Sequence, residues 1–586
     1  MTSQPSRLFD FVSYQEERHP QENCFVYKSK NTWKSISTEQ YIAQSNRVSR
    51  ALLTLGVQPN DKIAVIVPVN NPKWHILDIG ILQLGAQNVP LYATLSEKDY
   101  QYILNHSDAT YCFVASDDIY QKVKNVQEKT QLKQVYRFDT NCEVGWNNFL
   151  ELGDDVSLQP TVEEYKKSVK ATDLATIIYT SGTTGTPKGV MLTHNNIVQN
   201  VISTGKKLTI TGHGKKLVSY LPISHVFERA ASYYAQMMGF QIYFAENIEQ
   251  LGDTIREVKP HFIAVVPRLL EKIYDKIVAK GSQLSGIKRN LFFWALQLGE
   301  NYKPYKQNGI WYHLKLSIAN KLIFSKWRES LGSNLEFMLS GSAPLQPRLI
   351  RIFTAAKIPV FEGYGMTESS PAVTLNELKD NGLKIGTVGK TIEGVEVKIA
   401  DDDEILIKGH CVMQGYYKQE ELTNKTIVNG YLHSGDIGEI DADGFLKITD
   451  RKKEIFKTSG GKYIAPAVLE SELKKSRFIE QVMVIGESQK MPAALIQVNF
   501  EFVHEWAKRH KHTINDVATD LKLVFRIQKE IDFHNREFGN WEQIKKFEIT
   551  PDVWSIEEGH LTPTMKMKRK VISQKYKHLI DKIYTS

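Results

Sequence analysis

Four cysteines in 586 residues (Cys24, Cys112, Cys142 and Cys411) share no spacing that would hold a metal or staple a small secreted domain. They read as reduced, mostly packed thiols of a cytoplasmic protein. No apolar run approaches the ~18 residues needed to cross a bilayer. Residues 62–69 (Lys-Ile-Ala-Val-Ile-Val-Pro-Val) are the size of a core strand. The first residues, Met1-Thr-Ser-Gln-Pro-Ser-Arg7, lack the apolar segment of a secretory signal. Internal repeats and low-complexity stretches are missing too. The net charge of +8 is modest for this length, and no nucleic-acid partner is expected. What remains is ordinary globular composition, 42% hydrophobic and 24% charged, in a chain too long for one core. At least two domains are expected.

The densest local signal is Tyr179-Thr-Ser-Gly-Thr-Thr-Gly-Thr-Pro-Lys188-Gly189, a hydroxyl- and glycine-rich loop. It follows an apolar run, residues 174–178, that predicts a short buried strand. Gly182, Gly185 and Gly189 would let backbone amides crowd against a phosphate, and the threonines and Ser181 supply further donors. Lys188 adds a point charge. A Walker loop needs Ser or Thr directly after its lysine to hold Mg²⁺, whereas Lys188 is followed by Gly189. The loop is therefore a nucleotide triphosphate grip of another kind.

From about residue 45 to 450, short β-branched runs alternate with longer helical patterns, the rhythm of a layered α/β domain. Residues 46–56 predict a helix that stops at Gly56, and strands are predicted at 62–69, 111–114, 241–244 and 262–266. Residues 287–331 read as helical and rich in aromatics with Lys and Arg between them. The charged junction Asp450-Arg-Lys-Lys-Glu454 suggests an interdomain hinge, and strands at 480–486 and 494–498 suggest a smaller α+β unit beyond it. The basic tail from Lys566 reads as a solvated helix face or as a surface for a polyphosphate ligand or anionic membrane.

Several motifs occur in one order and together resemble the adenylate-forming enzymes, specifically the long-chain acyl-CoA synthetases. After the phosphate loop come Leu221-Pro-Ile-Ser-His225-Val-Phe-Glu228, Leu339-Ser-Gly-Ser-Ala-Pro-Leu345 and Glu362-Gly-Tyr-Gly-Met-Thr-Glu368. Tyr431-Leu-His-Ser-Gly-Asp436, Thr449-Asp-Arg-Lys-Lys453 and Thr562-Pro-Thr-Met-Lys566-Met-Lys-Arg569 follow. The resemblance implies an α/β fold with a large multi-subdomain N-terminal adenylation domain (1–449), a hinge (450–453) and a smaller mobile α+β C-terminal lid (454–586). It implies ATP, Mg²⁺ and coenzyme A as the small molecules, and a carboxylate activated as acyl-AMP. It makes Lys566, His225 and Glu368 the catalytic set, with Glu368 and the Thr180 hydroxyl on Mg²⁺. Thr180, Ser181, Gly182, Thr183, Thr184, Gly185 and Lys188 would hold phosphates. Gly341, Ser342, Ala343, Glu362, Gly363, Tyr364 and Thr367 would form the nucleotide pocket, with Tyr364 stacked on adenine. Asp436 would accept the ribose hydroxyls, Arg451 would contact the ribose or phosphate edge, and Lys453 and Lys457 are candidates for phosphate contacts against ordinary surface charge. Gly460 and Gly461 lie in a loop, Ser459-Gly-Gly-Lys462, that would replace Lys566 at the site after rotation about Asp450.

The motif around His225 and the helical elaboration after Asn290 look like the long-chain branch, so a long-chain fatty acid is the expected substrate. Tyr233, Tyr234, Met237, Met238 and Phe240 are candidates for an acyl tunnel as well as for ordinary core. Some relatives carry a gating tryptophan just past the histidine; Arg229 stands there, and the gate does not carry over. Asp403-Glu404 replaces a commoner Gly-Glu pair. Two alternatives stay open: a ligase that passes the acyl group to a carrier protein, and a catalytically silent lipid- or nucleotide-binding relative. Segment 287–331 could lie on a membrane surface as a peripheral contact. The sequence leaves the oligomeric state open.

Overall fold

A computed structural model describes residues 4–138, 142–181, 186–208, 210–377, 379–556, 558–562 and 565–585. The chain divides into two compact units, one comprising Met1–Val397, Ile407–His433 and Gly444–Leu446, the other Lys398–Leu406, Ser434–Asp443 and Lys447–Ser586.

The first unit is built on two sheets. Five parallel strands (Leu174–Ser181, Gln87–Leu91, Lys62–Ile66, Ala109–Val114 and Gln134–Arg137) form most of a seven-stranded sheet. Residues 62–66 and 109–114 are almost wholly buried, because helices cover both faces of a parallel sheet. Strand Pro187–Thr193 folds back antiparallel on Leu174–Ser181. The helix predicted from residue 46 begins earlier, at Thr38, where Ser37 and Gln40 form a reciprocal capping box. It ends at Thr54, two residues before Gly56, whose φ of +79° closes the last turn.

The second sheet has nine strands. Its central five, Val360–Tyr364, Phe337–Ser340, Phe262–Val265, Lys216–Ser219 and Gln241–Phe244, run parallel. The chain passes from Lys216–Ser219 to Gln241–Phe244 on one side, then crosses to Phe262–Val265 on the other. These two neighbours of Lys216–Ser219 lie on opposite sides, and the strand meets Phe262–Val265 at one register pair only, Phe262 with Leu217. The sheet therefore has a topological switch where the strands part toward their carboxyl ends, the place where open α/β sheets bind ligands.

In the second unit, Ile479–Ile485 and Ala493–Val498 pair antiparallel, and Lys546–Ile549 adds in parallel. Alternate residues serve two cores, as a period of two requires. Val482, Val484, Ala494 and Ile496 pack against Leu469, Leu523 and Ile527, whereas Met483 and Leu495 pack against Trp554, Ile572 and Tyr576. The basic tail is thus a packed pair of helices, Arg569–Lys575 and Lys577–Thr585, with Lys575 on Asp552 and Lys582 on Glu548. Among the described residues the cysteines form no disulfide, and burial pushes the Cys24 thiol up to about 12.

Candidate active site

Three of the motifs leave the carboxyl ends of parallel strands in one sheet. Residues 220–225 follow Lys216–Ser219, Gly341-Ser342-Ala343 follow Phe337–Ser340, and Tyr364 to Glu368 complete and follow Val360–Tyr364. The order of strands, not proximity in sequence, collects them along one edge.

His225 caps the helix Val226–Met238, and its Nδ1 accepts the Phe227 amide at 3.2 Å. A nitrogen that accepts cannot carry the ring proton, so the imidazole is the Nε2–H tautomer and offers a donor. A helix amino terminus with such a donor suits a carboxylate. The rest of this helix is anchored below. Arg229, only 1% exposed, pairs with Asp78 at 2.6 Å, and the Tyr233 hydroxyl donates to the other Asp78 oxygen. Arg229 also lies 5.4 Å from the Trp74 ring centre, so this position holds a fixed ion pair. Tyr233, Tyr234 and Phe240 are buried, with the Tyr234 hydroxyl on the Leu208 carbonyl. One turn from His225, the buried Glu228 carboxyl accepts the Ser219 hydroxyl at 2.6 Å, and desolvation raises it to about 8.

Ser342 adopts φ +71°, a left-handed strain for a residue other than glycine. The loop it belongs to is held by Glu362, whose Oε1 accepts the Leu345 amide at 3.0 Å. Glu362 is 5% exposed and desolvation raises it to about 8, so its side chain braces the pocket loop from within. Tyr364 is buried at the strand end. The glycine after it is required by the fold itself: a Cβ on Gly365 would sit 1.6 Å from the Pro371 carbonyl oxygen. Gly189 likewise serves its own hairpin, since a Cβ there would meet Ile177 at 2.8 Å.

Thr180 faces Lys188 across the hairpin. Gly182, Thr183, Thr184 and Gly185 lie outside the described residues, and Ser181 closes the first strand. Strand Gly415–Tyr416 pairs with the returning strand and delivers a residue the sequence did not single out. Lys188 Nζ lies 5.2 Å from the Tyr416 ring centre, and the Tyr416 hydroxyl donates to Glu368 Oε1 at 2.9 Å. Glu368 is further fixed by its carbonyl, which accepts the Met413 amide. Desolvation first, then this carboxylate, pushes the Tyr416 phenol far up, keeping it a donor. Lys188 and Glu368 are thus gathered around one tyrosine, and Thr180 is the cross-strand partner of Lys188. Thr367, beside Glu368, is buried.

The second unit carries the remaining candidates. Asp436, in the strand Tyr431–Ile440, accepts Arg451 Nε at 2.9 Å, so these two are partners of each other. Arg451 and Lys453 are exposed. Next to Arg451, Asp450 is 3% exposed and accepts the Arg451 amide at 2.6 Å; burial raises it to about 6. Gly460 and Gly461 form an exposed turn, the latter at φ +77°, between Phe456–Lys457 and Tyr463–Ile464. Lys566 is exposed; the Thr562 amide donates to its carbonyl, and its own amide donates to the Thr562 hydroxyl. Three residues on, Arg569 joins Glu454 Oε2 at 3.0 Å and Glu470 Oε2 at 2.7 Å, tying this segment to the one that follows Asp450. Asp403 occupies φ +63°, a conformation glycine adopts more readily, which accounts for the commoner Gly at that turn.

Comparison with known proteins gives the family. Residues 12–417 match the family model described as AMP-binding enzyme, and residues 453–586 match that of the AMP-binding enzyme C-terminal domain. A long-chain-fatty-acid–CoA ligase of Mycobacterium bovis is 34% identical over 561 residues, covering 94% of this chain and 92% of that protein. Fatty acyl-CoA synthetase A of Dictyostelium discoideum is 31% identical, covering 94% and 86%. The A domain of a carboxylic acid reductase from Segniliparus rugosus, solved with AMP and a co-purified carboxylic acid, shares the fold at a TM-score of 0.76 and 20% identity, covering 100% and 95%. The chain belongs to the AMP-binding enzyme family, among relatives named long-chain-fatty-acid–CoA ligases.

Proposed function

We propose that the protein ligates a long-chain fatty acid to coenzyme A at the expense of ATP, through an acyl-AMP intermediate. The observation that carries this reading is the convergence of the His225, Ser342 and Tyr364 motifs at the carboxyl edge of one sheet, with Glu368 joined through Tyr416 to Lys188. Relatives named for the same reaction, at 30–34% identity, support the choice of acid and thiol.

A carboxylate is a poor electrophile, so its oxygen must first become a leaving group. The fatty acid oxygen attacks the α-phosphorus of ATP, the bond to pyrophosphate breaks, and acyl-AMP forms. The coenzyme A sulfur then attacks the acyl carbon, the bond to AMP breaks, and the thiol proton is released to solvent. The Nε2–H of His225 orients the acid, and Lys188 with the glycine- and threonine-rich loop before it holds the phosphates. Tyr364 and the loop at Ser342 hold the base, and Asp436 takes the ribose hydroxyls in place of Arg451. Lys566 is assigned to the charge shared between carboxylate and α-phosphate in the first step. The lid, hinged at residues 450–453, then exchanges Lys566 for the loop at Gly460 and Gly461.

Among the described residues no group of three or more His, Cys, Asp or Glu side chains could hold a metal ion. One positioned carboxylate, Glu368, with the Thr180 hydroxyl fits Mg²⁺, which keeps several waters and takes its other ligands from phosphates. That ion would neutralise phosphate charge. No helix among the described residues is long and apolar enough to cross a membrane, and a peripheral contact with lipid belongs to the same reading.

The test is palmitate-dependent pyrophosphate release, measured with and without coenzyme A. Ligation requires thioester to accumulate with the coenzyme. Release without thioester points to an acyl carrier, and no release to a silent relative.

A further inference from the structure

The helix Ile310–Ala319, continued by Asn320–Phe324, is apolar on two sides. Leu316, Ala319 and Phe324 face the core, packed with Phe292, Ala295 and Trp327. Ile310, Trp311, Leu314, Ile318 and Leu322 face outward, between 46% and 78% exposed. At about 100° per residue these five fall within roughly a third of the helix circumference, opposite the buried set. Ile287, at the start of the helix Gly286–Glu300, is 78% exposed as well. A soluble protein rarely leaves so large a contiguous apolar face in water unless something covers it.

The charges around the face identify the cover. Residues 286–331 hold eight lysines and arginines against two glutamates. Exposed cations sit directly beside the exposed apolar residues: Lys288 next to Ile287, Lys315 next to Leu314, Lys321 next to Leu322, with Lys326 one turn on. Lysine is depleted from the apolar centre of protein–protein contacts, where its charge would be stripped of water. At a bilayer the same interleaving is favourable: aliphatic stems lie along the apolar region while ammonium groups reach anionic headgroups. Tryptophan is enriched at that depth for the same reason, one end apolar and the other wet.

We propose that this outward face, from Ile287 through Leu322, docks the protein on the surface of a bilayer containing anionic lipid. The contact is shallow and involves no spanning segment. It rests on the proposed reaction for its purpose alone, since a long-chain acid is dissolved in the same bilayer; the face itself lies outside the catalytic motifs.

Flotation of the full-length protein with vesicles, without ATP or fatty acid, tests the proposal independently of catalysis. Binding should be at least about tenfold tighter to phosphatidylcholine vesicles containing phosphatidylglycerol than to phosphatidylcholine alone. The triple substitution Trp311→Ser, Leu314→Ser, Ile318→Ser should weaken it at least about tenfold with thermal unfolding unchanged. Lys315→Glu, Lys321→Glu and Lys326→Glu together should erase the preference for acidic lipid while leaving the apolar face intact. Failure of the parent protein to float with acidic vesicles would overturn the proposal, and so would undiminished binding of the serine variant. A parent dimer that the serine substitutions dissociate, without lipid binding, would assign the face to self-association instead.

Discussion

The two units place their candidate residues in opposite physical settings. In the first, the motifs are extensions of buried parallel strands, and their supports are themselves buried: Glu362 under the loop at Ser342, Glu228 beneath His225, Arg229 on Asp78. In the second, Lys566, Lys453, Gly460 and Gly461 stand exposed, and only what lies behind them is buried, Asp450 and Glu470. The first setting suits binding, because donors held rigidly in a site lose little entropy when a ligand arrives. The second suits delivery of charge, because an exposed side chain on a long flexible stem can be moved without disturbing a core. Each setting makes its own demand on substitution. Changes at the tips of the second unit should cost rate without stability, and changes at the supports should cost stability first.

The largest expected effect is at Lys566. Replacing it with alanine removes a donor assigned to the transition state of adenylate formation, a loss of ~2.7–4 kcal/mol, or about a hundred- to thousandfold in rate. Because its side chain is exposed, the unfolding temperature and ATP binding should be unchanged. Hydrolysis or thiolysis of separately prepared acyl-AMP should also persist. A variant with normal turnover would erase the distinction between the two settings at its strongest point.

Arg569 is the next. It stands three residues from Lys566 but belongs to the supports, with Glu454 and Glu470 as partners. Substitution by methionine leaves the Glu470 carboxylate buried without its cation, and burial already raises that group. A cost of about 2 kcal/mol in stability is expected, since the guanidinium is partly open to water and Glu470 can take up a proton. Lysine at this position should recover part of the stability. Adenylate formation and thioester formation should be slowed unequally by the methionine variant, because Glu454 follows the hinge. Equal slowing of both, with unfolding unchanged, would make Arg569 an ordinary surface residue.

How much of this was legible beforehand follows from what each residue depends on. Strands 241–244 and 262–265 are short apolar bursts, a local property, and the sequence reading places them to within a residue. The motif order carries the family because each motif is contiguous. Tyr416 has no such signature: its role comes from pairing with a strand far upstream in the chain. Glu228 and Glu362 look like solvent-facing carboxylates until burial is known. Gly189 and Gly365 are recognisable as places of close approach, but what approaches them, Ile177 and Pro371 of this same chain, is a tertiary fact. The apolar outward side of Ile310–Ala319 was visible only as aromatic and basic residues mixed together, since periodicity does not tell which of two apolar faces is covered.

The smallest expected effect separates support from chemistry inside the first unit. The Glu362 carboxyl, at about 8 in the folded protein against an ordinary value of about 4.5, keeps its proton over a range in which the unfolded chain has lost it. Its contribution is therefore complete below about pH 4.5, falls as pH rises through that window, and is gone above about pH 8. Glu362→Gln keeps an oxygen for the Leu345 amide and has no proton to lose. Relative to the parent its unfolding temperature should climb from pH 5 to pH 8. Adenylate formation should stay within about threefold of the parent, because the brace on the Ser342 loop is retained. Calorimetry across that pH range, paired with a pyrophosphate assay at each end, reads both quantities on one preparation. A drop of a hundredfold in rate with no change in the pH slope of unfolding would move Glu362 from the supports to the groups that touch the nucleotide, and the contrast between rigid edge and exposed tip would then hold for the second unit only.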